Sequence, residues 1–151
     1  MANTSFTVRL MNADDFDAVV ELDERTSGTS RVAYYQMKFD KLFASKEFLP
    51  TSLVALDDEA AVVGFVMAEL YVGEYGISQA GATLDTIGVE PGLRKQGVGK
   101  RLIDELMAHL RQLGVKRVNT LVDAKNAALI AFFAANEFAR AESVVNLERN
   151  L

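Results

Sequence analysis

The sequence predicts an α+β protein, in which a sheet with some parallel pairing carries helices on both faces. Apolar, strand-like segments flank the turn signal Asp57-Asp58, and strand and helix patterns alternate from residue 82 onward. The third observation is a stripe of apolar residues at helical spacing, which predicts a long amphipathic helix packed against that sheet. The stripe consists of Val98, Leu102, Leu106, Leu110 and Leu113.

The first half of the chain indicates a strand, two helices and a hairpin. Asn12 is a good helix cap, and Asp14 and Asp15 follow in the first turn, where negative charge suits the helix dipole. The elements are a strand at 6–11, a helix after Asn12 that breaks at 27–30, a helix at about 32–44, and hairpin strands at 52–56 and 60–71.

The second half alternates strands with helices. Gly114 ends the long helix in the way that helices commonly end. The segment 127–135 is apolar nearly all round, which predicts a helix buried on most sides. The elements are a strand at 82–89, the helix from 98, a strand at 115–122, a helix at 126–136 and a last strand pair at Phe138 and 144–147.

The composition is that of an ordinary globular protein. With 151 residues, half of them hydrophobic, the chain is expected to form one domain over 1–151. The formal charge of −5 argues against broad nucleic-acid binding and leaves a cationic substrate open.

Several classes of site and location are excluded by what the sequence lacks. It has no cysteine and one histidine, so no disulfide, thiolate nucleophile or metal site is expected. Its start has no signal-peptide pattern, and its longest uncharged apolar runs have nine residues. A membrane helix needs about 20. A cytoplasmic protein without a membrane partner is therefore expected.

The stretch from Val89 to Leu102 contains the clearest functional signal. A strand stops at Pro91, a glycine-rich basic turn follows, and a helix starts at Val98 or Gly99. Such a turn aims main-chain N–H groups and the positive end of the helix dipole at one point. The turn therefore suits a phosphate or pyrophosphate.

Two familiar phosphate motifs do not fit this turn. A nucleoside-triphosphate loop needs a glycine where the chain has Arg94 and a hydroxyl residue where it has Arg101. The dinucleotide fingerprint needs a third glycine where the chain has Leu102. A phosphate-binding protein of another kind is thereby a weak alternative, and the pattern that remains is Arg-x-x-Gly-x-Gly preceded by Val-x-Pro.

That pattern resembles the central acetyl-CoA motif of the GNAT superfamily of N-acyltransferases. The segment from Leu84 to Pro91 looks like the family's fourth strand, and Asn126 to Phe138 looks like its later Asn-x-x-Ala-x-x-Leu-Tyr-x-x-x-Gly-Phe motif. The element order matches over essentially the whole chain. The resemblance implies a mixed, mostly antiparallel sheet of six or seven strands, with acetyl-CoA as cosubstrate and an amine as acceptor.

The resemblance also implies a role for individual residues. The turn would hold the pyrophosphate mostly with main-chain N–H groups, and the fourth strand would pair with the pantetheine arm. The N–H of Val89 would contact the thioester oxygen. The implied cofactor-binding residues are Ile87, Gly88, Val89, Arg94, Lys95, Gln96, Gly97, Val98, Gly99, Lys100, Asn126, Leu129, Phe132 and Phe133.

A carboxylate is the usual general base in this family, because an ammonium must lose a proton before it attacks a thioester. Asp85 on the fourth strand and Glu69 on the preceding one are the candidates, with Glu74 and Asp123 behind them. Each of these has an ordinary structural explanation as well. The fourth strand of the family often carries a bulge, so alternation does not tell which face Asp85 occupies.

The chain departs from the family where the leaving thiolate is protonated. The family's tyrosine corresponds to Phe133, which has no hydroxyl group. An alternative is therefore a module that binds acyl-CoA with little or no catalysis. The acceptor, a small molecule, an amino acid or a protein N-terminus, is not specified by any motif. Many proteins of this fold form homodimers, and no sequence feature decides that point.

Overall fold

The computed structural model describes residues 5–44 and 50–151, and only the main chain of Glu74. The chain divides into two compact units, residues 1–120 and residues 121–151, and each is described by itself. No helix in the described ranges is both long and apolar enough to cross a membrane. The prediction of one domain over the whole chain stays a prediction.

The described residues of the first unit form a five-stranded sheet with three α-helices. Its strands lie in the order β1-β2-β3-β4-β5, and only the β4–β5 pair is parallel. The mixed, mostly antiparallel sheet is thus confirmed with fewer strands than the predicted six or seven. The elements are β1 (Thr7–Leu10), α1 (Phe16–Ser27), α2 (Val32–Phe43), β2 (Leu53–Leu56), β3 (Val62–Val72), β4 (Ala80–Val89), α3 (Val98–Gln112) and β5 (Arg117–Asn119).

Helices cover both faces of this sheet, as the sequence predicts. Alternate β3 residues point to opposite sides, because side chains alternate along a strand. Phe65 lies among Tyr35 and Phe39 of α2 in the buried core of one face. On the other face, a Cβ added to Gly64 would lie 2.9 Å from Val98 Cγ1, so α3 packs directly on the backbone of β3.

The predicted helix ends agree with the observed capping. Asn12 accepts a hydrogen bond from Asp14 N, and Asp15 accepts one from Asn12 N at 2.8 Å. Asp15 also pairs with Arg9 of β1, at 2.8 Å. Gly114 follows α3 with φ +82°, a left-handed conformation that glycine adopts without strain.

The predicted strand at 115–122 is wrong in length, since β5 covers only Arg117–Asn119. The register with β4 ends at Thr83 opposite Asn119. Just beyond it, the Thr120 hydroxyl donates to Leu84 O at 2.9 Å. A side chain thus takes the carbonyl that a longer ladder would use, and the two strands part there.

The second unit contains one helix, α4 (Ala127–Ala135), and the predicted last strand pair is absent from it. Residues 138–151 form no ladder, and Val145 and Leu147 are exposed. Alternating apolar residues form a strand only where a neighbour takes their main-chain hydrogen bonds. The prediction that 127–135 is buried on most sides is also wrong, because Phe133 is its only buried residue.

Candidate functional site

The turn between β4 and α3 presents main-chain N–H groups at a helix start. Pro91–Leu93 forms a short 3-10 turn, and Gly97, with φ +85°, is the residue before the helix. The first turn of α3 has no capping side chain, so its N–H groups point outward without a partner from a cap. This arrangement suits an anion that bridges several N–H groups.

Lys95 and Gly97 both take the left-handed conformation, with φ +67° at Lys95. This conformation is strained for lysine and free of strain for glycine. Alternation of left-handed residues in a turn makes a concave row of N–H groups that binds anions. The backbone of the turn is therefore shaped for a ligand rather than only for a change of direction.

Side chains around the turn divide into those that face solvent and those that do not. Arg94 and Lys95 are exposed and pair with no acidic side chain in the described ranges, whereas Lys100 pairs with Asp104. The side chain of Val98 is buried against β3, so only its main chain can meet a ligand.

The turn is anchored to the rest of the unit at Glu90. Arg25 of α1 donates to Glu90 Oε2 at 2.8 Å, and Glu90 N donates to Val63 O at 2.8 Å. Gly88 is explained by packing, since a Cβ there would lie 2.6 Å from Phe65 Cε1. The end of β4 and the start of the turn are thus fixed by contacts with α1 and with β3.

The outer edge of β4 is open next to this turn. Pairing with β5 stops at Thr83, so within the described ranges no strand takes the outward main-chain groups of 85–89. On its other side β4 stays paired with β3 as far as Val89, which faces Gly64. Ile87 and Val89 therefore offer main-chain groups that an extended chain with amide groups can pair with.

A bulge in β4 determines the position of Asp85. Met67 faces Thr86 and Ala68 faces Leu84, so Asp85 is the extra residue between two paired positions. The bulge turns the Asp85 carboxylate toward α2, where Lys38 Nζ lies 3.2 Å from Oδ2. Asp85 and Glu69, separate in sequence, thereby meet at one ammonium group.

Two buried hydroxyl groups hold β3 opposite the bulge. Thr51 donates to Ala68 O, and Ser52 Oγ accepts a hydrogen bond from Ala68 N at 3.2 Å. Both side chains are buried. They satisfy Ala68 where regular pairing with β2 has ended, and nothing in their sequence context signals this role.

The two carboxylates are bound differently. Glu69 accepts hydrogen bonds from Lys38 at 3.1 Å on Oε1 and from Lys41 at 2.9 Å on Oε2. Asp85 Oδ2 is buried and accepts no hydrogen bond from the described part of the chain; Lys38 is within ion-pair distance only.

The pKa values of the two acids therefore move in opposite directions. Burial opposes ionisation of Glu69, but the hydrogen bonds from Lys41 and Lys38 outweigh it and hold its pKa below the usual range. Burial raises the pKa of Asp85, Lys38 counteracts this, and the neighbouring Glu69 charge adds to the rise. Asp85 is thus the stronger base of the two.

A second polar cluster fixes the start of α2. Buried Asp23 accepts hydrogen bonds from Arg31 Nε and from the Tyr35 hydroxyl, each at 2.8 Å. The Arg31 guanidinium lies 5.6 Å from the ring centre of Tyr34. Lys38, one helical turn further along α2, has its Nζ 5.7 Å from the centre of the same ring. Tyr35 packs in the core, whereas the Tyr34 ring lies beside both Arg31 and Lys38.

The residues predicted from the later motif lie in the second unit. Asn126 caps α4, with Oδ1 accepting from Leu129 N at 3.1 Å, while its Nδ2 donates to no described group. The Phe133 ring is buried between Phe132 and Phe138, at 5.4 and 5.1 Å between centres. Phe133 is therefore a core residue of this unit and carries no acid group.

Other candidates contribute less to the site. Asp123 Oδ1 accepts a hydrogen bond from Lys125 N at 2.8 Å, which is a local turn contact in the second unit. The side chain of Glu74 lies outside the described part of the chain. Lys38 was missed by the sequence reasoning, because a lysine on a helix with several polar residues does not reveal a partner on a distant strand.

Residues 16–138 match the acetyltransferase (GNAT) family. Over 132 residues the chain is 26% identical to ribosomal protein bS18-alanine N-acetyltransferase of Escherichia coli (strain K12), which covers 87% of this chain and 80% of that protein. Over 81 residues, 54% of the chain, it is 30% identical to 25% of the mycothiol acetyltransferase of Propionibacterium freudenreichii.

Solved structures with the same fold cover nearly the whole chain. An aminoglycoside N-acetyltransferase in complex with CoA superposes with a TM-score of 0.76 at 20% identity, over 98% of this chain and 97% of that one. The ribosomal-protein-S18-alanine N-acetyltransferase of Escherichia coli gives 0.73 at 21% identity, over 91% and 79%.

Proposed function

The chain belongs to the acetyltransferase (GNAT) family and is an acetyl-CoA-dependent N-acetyltransferase; from this we propose that Asp85 takes the proton of the acceptor amine. The observation that carries the proposal is the buried Asp85 Oδ2, which has no hydrogen-bond donor in the described part of the chain. The alternative of a module that only binds acyl-CoA is not retained.

The donor side of the proposal rests on main-chain geometry. The turn at 94–100 would bind the pyrophosphate with its outward N–H groups, helped by the exposed charges of Arg94 and Lys95. The open edge at Ile87 and Val89 would pair with the pantetheine amides, and the Val89 N–H would stabilise negative charge on the thioester oxygen. Asn126 Nδ2 is a further candidate donor.

Between the two predicted bases, Asp85 is the better supported. Both oxygens of Glu69 already accept hydrogen bonds from lysines, and its lowered pKa makes it a weak base. Asp85 has a raised pKa, and its Oδ2 is left without a hydrogen-bond donor by the described part of the chain. Asp85 would therefore accept a proton from the amine, directly or through water, and Glu69 would hold Lys38 in place.

The leaving sulfur also needs a proton before CoA thiol is released. Phe133 cannot supply an acid group, because its ring is buried among Phe132 and Phe138. We propose that water protonates the thiolate, which leaves free CoA thiol and an acetylated amine as products. A thiolate of this kind is a tolerable leaving group without a positioned acid.

A thiol-release assay tests this assignment. Acceptors are screened with acetyl-CoA, starting from peptides with N-terminal alanine and from aminoglycosides, the classes named for the relatives above. On the best acceptor, Asp85→Asn is expected to lower kcat by about 10²–10⁴-fold, the usual contribution of a general base.

Glu69→Gln is the matched variant and is expected to lower kcat far less, with acetyl-CoA affinity kept in both variants. Full activity in Asp85→Asn would assign the base to another residue. Calorimetry supplies the independent check on the donor, because acetyl-CoA is expected to bind and ATP is not.

Two broader expectations belong to the same proposal. We infer a cytoplasmic location, because the cosubstrate acetyl-CoA is an intracellular metabolite. Many proteins of this fold form homodimers, and we propose a homodimer for this chain on that resemblance. Light scattering on the purified protein tests the dimer, and a monomer at all concentrations would contradict it.

A further inference from the structure

Lys38 lies at the centre of a charged cluster that consists of Lys38, Lys41, Glu69 and Asp85. The proposed reaction gives Lys38 itself no chemical role. Its Nζ lies 3.1 Å from Glu69 Oε1 and 3.2 Å from Asp85 Oδ2, and its side chain is only 15% exposed. Lysine is rarely buried without partners. The Lys38 ammonium is therefore held in place by one carboxylate from β3 and one from β4, and it puts a permanent positive charge beside Asp85.

The charges of the cluster balance. Glu69 and Asp85 supply two negative charges, and Lys38 and Lys41 on α2 supply two positive ones. Hydrogen bonds to Glu69 and the charge of Asp85 outweigh the opposing effect of burial and raise the pKa of Lys38, so it stays an ammonium at neutral pH. The cluster has no surplus negative charge with which to attract a further cation.

An acceptor amine that gives its proton to Asp85 must approach this same ammonium. Lys38 Nζ is 3.2 Å from Oδ2, so a nitrogen that hydrogen-bonds to this carboxylate at about 3 Å lies close to that ammonium. Two positive nitrogens at one largely buried carboxylate repel each other with little screening by salt. An acceptor that arrives as a neutral amine avoids this repulsion.

We propose that Lys38 is the specificity-determining residue of the acceptor site, where its ammonium excludes a second positive charge at Asp85 and so selects weakly basic amines over strongly basic ones. The class selected is the α-amine of a peptide or amino-acid derivative, with a pKa of about 8, rather than an alkylamine such as a lysine side chain, with a pKa of about 10.4. This inference rests on the proposed role of Asp85.

The transfer balances in these terms. The nitrogen of the neutral α-amine forms the bond to the acetyl carbon while the bond from that carbon to sulfur breaks. One proton of the amine passes to Asp85 and then to solvent, and the sulfur takes a proton from water. The products are the N-acetyl compound and CoA thiol. Lys38 keeps its protons throughout.

A competition between two small amines tests the inference. Glycinamide and n-propylamine are similar in size, but the first is far less basic. Both are supplied together with acetyl-CoA, and the two acetylated products are measured by mass spectrometry. The native protein is expected to favour glycinamide. Lys38→Met is expected to shift the product ratio toward propylamine by about tenfold, the equivalent of one pKa unit.

Lys41→Met is the matched control, because Lys41 contacts Glu69 at 2.9 Å and no oxygen of Asp85, and is 60% exposed. It is expected to leave the product ratio within about twofold, as exposed ion pairs have small effects. An unchanged ratio in Lys38→Met, or an equal shift in Lys41→Met, would overturn the proposal.

A second measurement does not depend on turnover. The carboxyl carbon of Asp85 is followed by NMR through a pH titration, with and without propylammonium chloride. Loss of the Lys38 charge is expected to raise the pKa of Asp85 and to tighten propylammonium binding, and loss of the Lys41 charge is not. If Lys38→Met changes neither quantity, the inference fails even where Asp85→Asn is inactive. If Asp85→Asn is fully active, the assignment of the base fails instead.

Discussion

The turn before α3 and the charged cluster under α2 are built in different ways. The turn uses main-chain groups of consecutive residues, from Pro91 to Lys100, shaped by left-handed conformations at Lys95 and Gly97. The cluster uses side chains from three elements, Lys38, Glu69 and Asp85, which are distant in sequence. The turn therefore depends on the direction of its main-chain N–H groups, and the cluster depends on the charges of its side chains.

This difference determines which substitutions each region tolerates. A main-chain site is expected to survive the loss of a side chain and to fail when its backbone is forced into another conformation. A side-chain cluster is expected to survive changes of backbone detail and to fail when one charge is removed. The following predictions test that contrast, from the largest expected effect to the smallest.

Gly97→Ala should weaken acetyl-CoA binding about tenfold or more, because a left-handed alanine costs about 1–2 kcal/mol. Gly97 has φ +85°, and a Cβ there would meet no atom within 4 Å, so strain rather than a clash is tested. Gly92→Ala is the control in the same turn, since Gly92 also has open space and no left-handed φ. Calorimetry with acetyl-CoA measures both, and equal affinities would remove the main-chain explanation.

Glu69→Gln should move the acidic limb of the kcat/KM profile to lower pH. The Glu69 charge contributes to the raised pKa of Asp85, so its removal favours the ionised base. The profile is measured on one acceptor from about pH 4 to 8. A shift to higher pH, or no shift, would show that Asp85 does not govern that limb.

The two acids should affect stability with opposite signs at neutral pH. Glu69 has a lowered pKa in the folded protein, so its ionised form stabilises the fold, and this stability is lost as pH falls through the folded pKa. Asp85 has a raised pKa, so its charge destabilises the fold above that pKa.

Glu69→Gln should therefore lower the free energy of unfolding, and with it Tm, whereas Asp85→Asn should keep or raise both. Thermal unfolding at neutral pH measures the difference, which should shrink as pH falls and the two acids become protonated. Equal losses in the two variants would contradict the assignment of opposite pKa directions.

Arg25→Gln should change acetyl-CoA affinity by less than about fivefold, because exposed ion pairs contribute roughly 0.2–1 kcal/mol. Arg25 contacts Glu90 at the start of the turn and is 48% exposed. A loss as large as that of Gly97→Ala would mean that this side chain, rather than the main chain, shapes the turn.

The same contrast explains how much the sequence could predict. The turn is local: Pro91, Gly97 and the apolar stripe from Val98 lie within one short segment, so its conformation and the helix start were predicted and confirmed. The hairpin and the helices of the first unit follow from local periodicity in the same way.

The cluster is not local, and its geometry was out of reach. The face of Asp85 depends on a bulge that only pairing with Met67 and Ala68 reveals. Lys38 contacts Glu69 of β3, which lies 31 residues further along the chain. The predicted strands after Phe138 failed for a related reason, since apolar alternation says nothing about whether a partner strand is available.

The open outer edge of β4 has a consequence for handling the protein. An unpaired strand edge is a template for another chain, and proteins usually cover or charge such edges. In this chain the edge at 85–89 is followed directly by the turn that would hold the pyrophosphate. A cosubstrate that pairs with the edge would also shield it, so purification and storage with CoA should keep the protein dispersed when the ligand-free form precipitates.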